Sequence, residues 1–265
     1  MIATLFARNL RHQIRLLAAL LVGLAAIEVI FVQVMASFDQ STGLGNLVEL
    51  LPSTMRDLFG AQLAFASFPS ALAFGYQHPV VLVGALAFVV LVATIPAGER
   101  ETGMLELLLA RPVPRARYLA GVLWLVVLGA VVLPAALLAG GMVGLAMVAA
   151  PDVVPWTRYL SSAMGMMALL LAFGGIALLF AAGARRRGPA VARTLGLVLT
   201  LYLVEVLGGL WSVFGAVQWA SPFHYFKPID MVMQGGNNPS HVLVLLSVFG
   251  ATTGAAFWRF TRSGV

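Results

Sequence analysis

Six long apolar stretches dominate this 265-residue chain and limit what it can fold into. Each is long enough to cross the roughly 30 Å of hydrocarbon in a bilayer, which takes about 20 helical residues. Only 10% of the residues are charged, whereas soluble domains have roughly 25%. The sequence therefore predicts an all-α integral membrane protein with six transmembrane helices, near residues 16–37, 79–97, 118–148, 158–183, 194–215 and 241–258.

The basic residues are distributed unequally between the flanks of these stretches. Of the 16 lysines and arginines, all but Arg56, Arg158 and Lys227 lie on the set of flanks that includes both termini and residues 98–117. Because cytoplasmic flanks carry the excess of basic residues in membrane proteins, both termini and residues 98–117 are predicted to be cytoplasmic. Residues 39–78 and 216–240 become extracytoplasmic loops, and residues 16–265 form a single six-helix transmembrane domain. The net charge of +6 is thus explained by the lipid bilayer and does not indicate nucleic acid as a partner.

The first 15 residues have the pattern of an amphipathic helix. Apolar side chains recur every fourth residue, at Ile2, Phe6, Leu10 and Ile14, and basic residues occupy another face, at Arg8, Arg11 and Arg15. Such a helix is suited to the cytoplasmic headgroup layer, so residues 1–15 are predicted to form an interfacial helix before the first span. The alternative is a cleaved signal peptide, but the apolar run that follows is too long for one and contains Glu28.

A charged island, residues 98–117, separates the second and third apolar stretches. Its ionisable residues are Glu99, Arg100, Glu101, Glu106, Arg111, Arg115 and Arg117. Each would cost roughly 2.5–3.5 kcal/mol in hydrocarbon, so the island lies in water or against protein. Residues 104–109 predict a short helix that begins near Thr102 or Gly103 and is stopped by Pro112 and Pro114. An ordinary charged cytoplasmic loop would fit this composition equally well.

The island resembles the loop between the second and third spans of ABC-2 type transporter permeases. In those proteins an acidic pair precedes Gly-x-Leu-Glu-x-Leu-Leu, then Ala-x-Pro and a basic residue. The matching residues here are Glu99, Glu101, Gly103, Leu105, Glu106, Leu108, Leu109, Ala110, Pro112 and Arg115. The resemblance implies a coupling helix at 98–110, seated in a groove of an ATP-binding subunit. Its leucines would pack in that groove, and Glu99, Glu101, Glu106 and Arg111 would set the register by charge pairing.

The same resemblance implies the function and the partners. The chain would be the transmembrane subunit of an ATP-driven ABC-2 exporter in the cytoplasmic membrane of a bacterium. Two copies would form a homodimer above two separate ATP-binding subunits, with no cofactor or metal in this chain.

Catalysis by the chain itself is not expected. A P-loop requires a lysine in Gly-x-x-x-x-Gly-Lys-Ser/Thr, and the single lysine, Lys227, lies between Phe226 and Pro228. The four histidines are scattered and cysteine is absent, so no metal-ligand motif is present in the sequence. ATP hydrolysis is therefore expected in a partner subunit.

Two acidic residues, Glu28 and Glu205, fall inside predicted spans. Intramembrane carboxylates usually face a bundle interior or a watery cavity, so one or both are predicted to line a path for a cationic or polar substrate. The alternative is a packing role, with hydrogen bonds to Gln33, Thr200 or Tyr202.

Two other classes of function remain open at this point. One is a gradient-driven secondary transporter or channel, although the internal repeats common in such proteins are not visible between the two halves of the sequence. The other is a membrane accessory subunit that transports nothing.

Overall fold

The computed structural model describes residues 2–42, 68–110, 114–148 and 154–262. In these ranges the chain forms helices joined by turns. In chain order the helices are α1 (Ile2–Thr42), α2 (Phe68–Gly75), α3 (Pro79–Ala93), α4 (Ile95–Glu101), α5 (Met104–Leu109), α6 (Arg115–Ala146), α7 (Trp156–Gly183), α8 (Arg187–Gly208), α9 (Ser212–Gly215), α10 (Pro228–Met233) and α11 (Pro239–Arg262).

Six segments of the described chain are long and apolar enough to cross a membrane, which confirms the predicted all-α class and the six spans. They are Phe6–Ser37, Phe68–Ala93, Arg115–Ala146, Trp156–Gly183, Arg187–Gly208 and Pro239–Arg262. The second begins earlier than the predicted residue 79 because α2 precedes α3. The fifth starts earlier than the predicted 194–215, since the helix includes the flanking residues Arg187 and Arg193. It also ends earlier, at Gly208.

The first helix differs from the prediction for the N-terminus. Residues 1–15 do not form a separate element within the described chain, because α1 is continuous over 41 residues. At about 1.5 Å per residue such a helix is about 60 Å long, twice the hydrocarbon thickness. Its first turns therefore extend beyond the membrane core, and their location in the headgroup layer stays a prediction. Residues 43–67, most of the predicted 39–78 loop, lie outside the described residues.

The centre of the bundle is α7. In its most apolar stretch 72% of the residues are buried, against 11% in α8 and 17% in α11. Phe173 of α7, Phe88 of α3 and Leu125 of α6 are all enclosed in the same core. The outer surfaces of α8 and α11 are left for lipid or for another protein.

Small residues allow close approach between helices, as is usual where lipid removes the hydrophobic drive for association. Gly144 of α6 packs on α1, where an added Cβ would come within 2.8 Å of the Val32 side chain. Gly140, one turn earlier, contacts the backbone of Ala25. The Gly-x-x-x-Gly pair of α6 is thus the seam between the first and third spans.

The helix directions bring both chain ends and the charged island to one end of the bundle. Arg8 of α1 bonds to Glu99 of α4, and the Arg100 guanidinium lies 5.5 Å from the ring centre of Phe260 in α11. We call this the charged end. That it faces the cytoplasm stays a prediction from the distribution of basic residues.

Candidate functional site at the charged end

The first part of the charged island lies in two short helices, α4 and α5, which are joined by a sharp turn. Thr102 and Gly103 separate α4 from α5, and Gly103 has a φ of 72°, in the left-handed region. Nothing lies within 4 Å of the position where a Cβ would be, so glycine is required here by its backbone conformation and not by lack of space. As predicted, a short helix begins directly after Gly103.

Glu99 joins three helices. Its carboxylate accepts hydrogen bonds from the Arg8 guanidinium of α1 and from the Tyr118 hydroxyl of α6. The Arg8 guanidinium also donates to the side-chain oxygen of Asn9, at 3.0 Å. The Glu99 side chain is only 17% exposed, and bonds between charged groups in such partly buried surroundings are stronger than those in water. Glu99 therefore fixes α4 to the bundle.

Arg100 bonds to the end of α7. It donates to the carbonyl oxygens of Ala182, at 3.3 Å, and Ala184, at 2.8 Å, which no longer have partners within the helix. Burial lowers the pKa of Arg100. The guanidinium still stays charged, because the ordinary pKa of arginine is above about 12. The positive charge at a helix C-terminus is favourable, so Arg100 acts as a cap for α7.

Glu101 reaches the start of α8. Its carboxylate accepts a hydrogen bond from the backbone N–H of Arg187, at 2.9 Å, and a negative charge at a helix N-terminus is stabilising. The Arg187 side chain turns back to donate to the Leu91 carbonyl of α3, at 2.7 Å. The start of α8, at Arg187, is thus bonded to the charged island.

The apolar residues of α5 divide between two faces. Leu105 is fully buried in the core of the chain, and Leu108 and Leu109 are partly buried against that core. Met104 and Leu107 are exposed at 46% and 69%, and Glu106 beside them is also exposed. We call Met104, Glu106, Leu107 and Ala110 the coupling face. Of the leucines that were expected to enter a partner's groove, Leu105 instead packs inside this chain, and Leu108 and Leu109 lie partly against its core.

The remaining residues of the predicted coupling motif lie after α5. Arg111 and Pro112 are outside the described residues. Arg115 is the first residue of α6 and is half-buried, and Pro114 precedes it as the helix cap.

Glu28 is enclosed by four helices in the other half of the bundle. It is 1% exposed and lines a small cavity together with Tyr76, Tyr159 and Met142. Of the packing partners proposed for the two intramembrane acids, Gln33 instead donates to the carbonyl of Gly144, at 3.4 Å. Glu28 Oε2 has no hydrogen-bond partner in the described part of the protein.

Glu205 lies in the last turn of α8. The sequence had predicted a position well inside the fifth span. Its Oε2 is 3.5 Å from Nδ1 of His224, without a hydrogen bond between them. Burial lowers the pKa of His224, and the nearby Lys227 lowers it further, so both effects favour the neutral imidazole. Thr200, another proposed partner, bonds within its own helix to the carbonyl of Gly196.

The comparison with protein families agrees with this arrangement. A model of the ABC-2 family transporter proteins matches residues 4–265, almost the whole chain. The chain belongs to the ABC-2 transporter family. No curated protein matches it.

Membership makes the permease a multi-pass membrane subunit of an ABC-type transporter, and it implies an ATP-binding partner. Sequence reasoning did not find Arg8, Tyr118 and Arg187 as partners of the acidic residues in the island. Arg8 and Glu99 are 91 residues apart, and nothing local in either segment indicates the other.

Proposed function

We propose that the permease is the membrane subunit of an ATP-driven exporter in the cytoplasmic membrane of a bacterium. A separate subunit binds and hydrolyses ATP, and it docks on the coupling face. The observation that carries this proposal is the exposed pair Met104 and Leu107 at the charged end. Apolar side chains surrounded by charged residues are typical of the centre and rim of a protein interface.

Force from the ATP-binding subunit would reach the spans through α4. A push on α5 passes across the turn at Gly103, and α4 is bonded to α1, α6, α7 and α8 through Glu99, Arg100 and Glu101. Contiguous hydrogen-bond networks between rigid helices are a physical route for such coupling. Docking on α5 would therefore tilt several spans at once and open the path to the outside.

A second copy of the permease would complete the path. The least enclosed spans, α8 and α11, expose apolar side chains such as Leu199 and Leu243, at 58% and 63%. We propose that part of this surface contacts the same surface of a second copy in a homodimer, as the family resemblance implies. Disulfide crosslinking between cysteines introduced at Leu199 tests the pairing, because the natural chain contains no cysteine.

We propose that one or both of the intramembrane acids line the substrate path. Glu205 is 21% exposed near the end of α8, where a substrate leaving the membrane would pass. Export and substrate-stimulated ATPase activity that are unchanged in Glu205→Gln would remove this residue from the path.

The decisive experiment is affinity purification of the tagged permease from its native host in mild detergent, with mass spectrometry of the proteins that accompany it. The expected partner is a P-loop ATPase in stoichiometric amount. Leu107→Glu should reduce its recovery by at least about tenfold, since a charge would be buried in the apolar centre of the interface.

The matched control is Thr261→Glu, which adds the same charge at an exposed position of the charged end, where the threonine hydroxyl bonds only within its own helix. Equal recovery from both variants contradicts docking on α5. A homo-oligomer without any nucleotide-binding protein would favour the gradient-driven alternative.

A further inference from the structure

The cavity beside Glu28 is built from four helices. Glu28 comes from α1, Leu72 from α2, Met142 from α6 and Tyr159 from α7, and Tyr76 follows the end of α2. These residues lie in the half of the bundle opposite the charged end, since Met142 is near the end of α6 and Tyr159 near the start of α7. The cavity is therefore remote from α4 and α5.

Two polar groups on the cavity wall have no protein partner. Glu28 Oε2 and the Tyr159 hydroxyl are both buried, and neither makes a hydrogen bond within the described residues. Buried polar groups in folded proteins are satisfied in the great majority of cases. Two unsatisfied groups on one wall indicate a ligand that interacts with both.

The charge of that ligand follows from the lining. No lysine, arginine or histidine is among the described residues that line the cavity. An unpaired carboxylate at this depth would cost several kcal/mol. A group with a single positive charge that also donates hydrogen bonds satisfies Glu28 and Tyr159 together.

The size and the apolar walls distinguish between cations. The cavity has room for about one water-sized group. A calcium ion takes about six to eight oxygen ligands. A primary ammonium group needs only three hydrogen-bond acceptors. Leu72, Leu138 and Leu145 supply the rest of the wall, which suits methylene groups and not hydrated metal ions.

Two glycines leave room for the Glu28 side chain beside the cavity. An added Cβ at Gly75 would overlap the Glu28 carboxylate, with its centre 2.7 Å from Oε1. Gly141 lies across the cavity, where a Cβ would be 3.6 Å from Cγ of Glu28. Met142, which lines the cavity, is 40% exposed on the outer surface of α6.

We propose that this cavity binds the primary ammonium group of an aliphatic amine. The ammonium donates to the Glu28 carboxylate and the Tyr159 hydroxyl, the tyrosine rings add cation–π attraction, and the alkyl chain leaves past Met142 into the membrane. That the amine is also a transported substrate rests on the proposed export function. Binding of the amine in the cavity does not depend on that proposal.

The test uses purified permease in detergent, without any ATPase, and two probes with the same chain: n-hexylamine, which is charged at neutral pH, and n-hexanol, which is not. Hexylamine should raise the unfolding temperature of the natural protein more than hexanol does. Glu28→Gln should weaken hexylamine binding by at least about tenfold, because the charge that pairs with the ammonium is lost. Its effect on hexanol should be small.

Tyr159→Phe is the second variant, should Glu28→Gln fail to fold, and it should weaken hexylamine binding by a smaller factor. Asp230→Asn is the control: it removes a carboxylate on α10 that does not line the cavity, and it should leave hexylamine binding intact. The proposal is overturned if the two probes raise the unfolding temperature equally. It is also overturned if sodium chloride stabilises the protein and displaces hexylamine, because the cavity would then bind a metal cation. Because no ATPase is present, failure of the export proposal would leave this result unchanged.

Discussion

The two short helices of the charged island are consecutive and face opposite ways. On α4 the ionisable residues Glu99, Arg100 and Glu101 each bond to another part of the bundle, although Glu101 itself is exposed. On α5 the exposed residues Met104 and Leu107 are apolar. The charges that first drew attention to the island thus hold the chain together, and the surface left for a partner is largely apolar.

The largest effect on folding is expected for Leu105→Ala. Leu105 is fully buried, and removing a buried leucine side chain costs about 2–5 kcal/mol. Thermal unfolding in detergent should show a clear loss of stability. Leu107→Ala, on the exposed face of the same helix, is the matched control and should cost less than about 0.5 kcal/mol. Similar losses in both would mean that α5 has no inner and outer face.

Glu99→Ala is expected to have the next largest effect. It leaves the partly buried Arg8 guanidinium and the buried Tyr118 hydroxyl without this acceptor, at a cost of about 1–3 kcal/mol. A double-mutant cycle with Arg8→Ala isolates the pair, and we expect a coupling energy of about 0.5–3 kcal/mol. Simple additivity of the two substitutions would show that α4 is not fixed through α1.

Glu101→Gln should have a smaller, salt-dependent effect. Glu101 is exposed, and its charge at the start of α8 is worth about 0.3–1 kcal/mol at low ionic strength. The difference in unfolding temperature from the natural protein should shrink as salt is added, because exposed charges are screened. A difference that persists in high salt would point to a buried role for this carboxylate.

Glu106→Arg should leave the folding of the permease unchanged, since Glu106 is exposed on the coupling face. Its effect should appear only when the ATP-binding subunit is present, as slower association with an altered salt dependence. Surface plasmon resonance with the immobilised permease measures both. An unfolding temperature that falls as far as that of Glu99→Ala would place Glu106 in the network that holds α4.

Much of the architecture could be predicted because membrane spans are long and their signal is local. The six apolar stretches of the sequence correspond to six spans in the structure, and Gly103 directly precedes α5. The ends of spans were harder, as Arg187 shows: it looked like a flank but is the first residue of α8. A helix can continue into water without any change in its hydrogen bonding, so composition alone does not mark where it stops.

The orientation of α5 could not be predicted for a different reason. Leu105, Leu108 and Leu109 share one face at helical spacing, and Met104 and Leu107 share another. A six-residue helix that is apolar on both faces fits equally well either way, and only the surrounding helices decide which face is buried. The partners of Glu99 were invisible for the same reason, because both Arg8 and Tyr118 are brought to it by the tertiary fold.

The unbroken course of α1 has a practical consequence for anyone who trims this protein. Residues 1–15 have the sequence pattern of an independent interfacial helix, but Arg8 is bonded to Glu99. The same helix carries Glu28 some 20 residues later, about 30 Å along its axis. Removing residues 1–15 would break the Arg8–Glu99 bond that holds α4, and it would shorten the first span, which begins at Phe6, to the part of α1 from residue 16 onward. We therefore expect the shortened protein to insert in the membrane with α4 less firmly attached to the bundle.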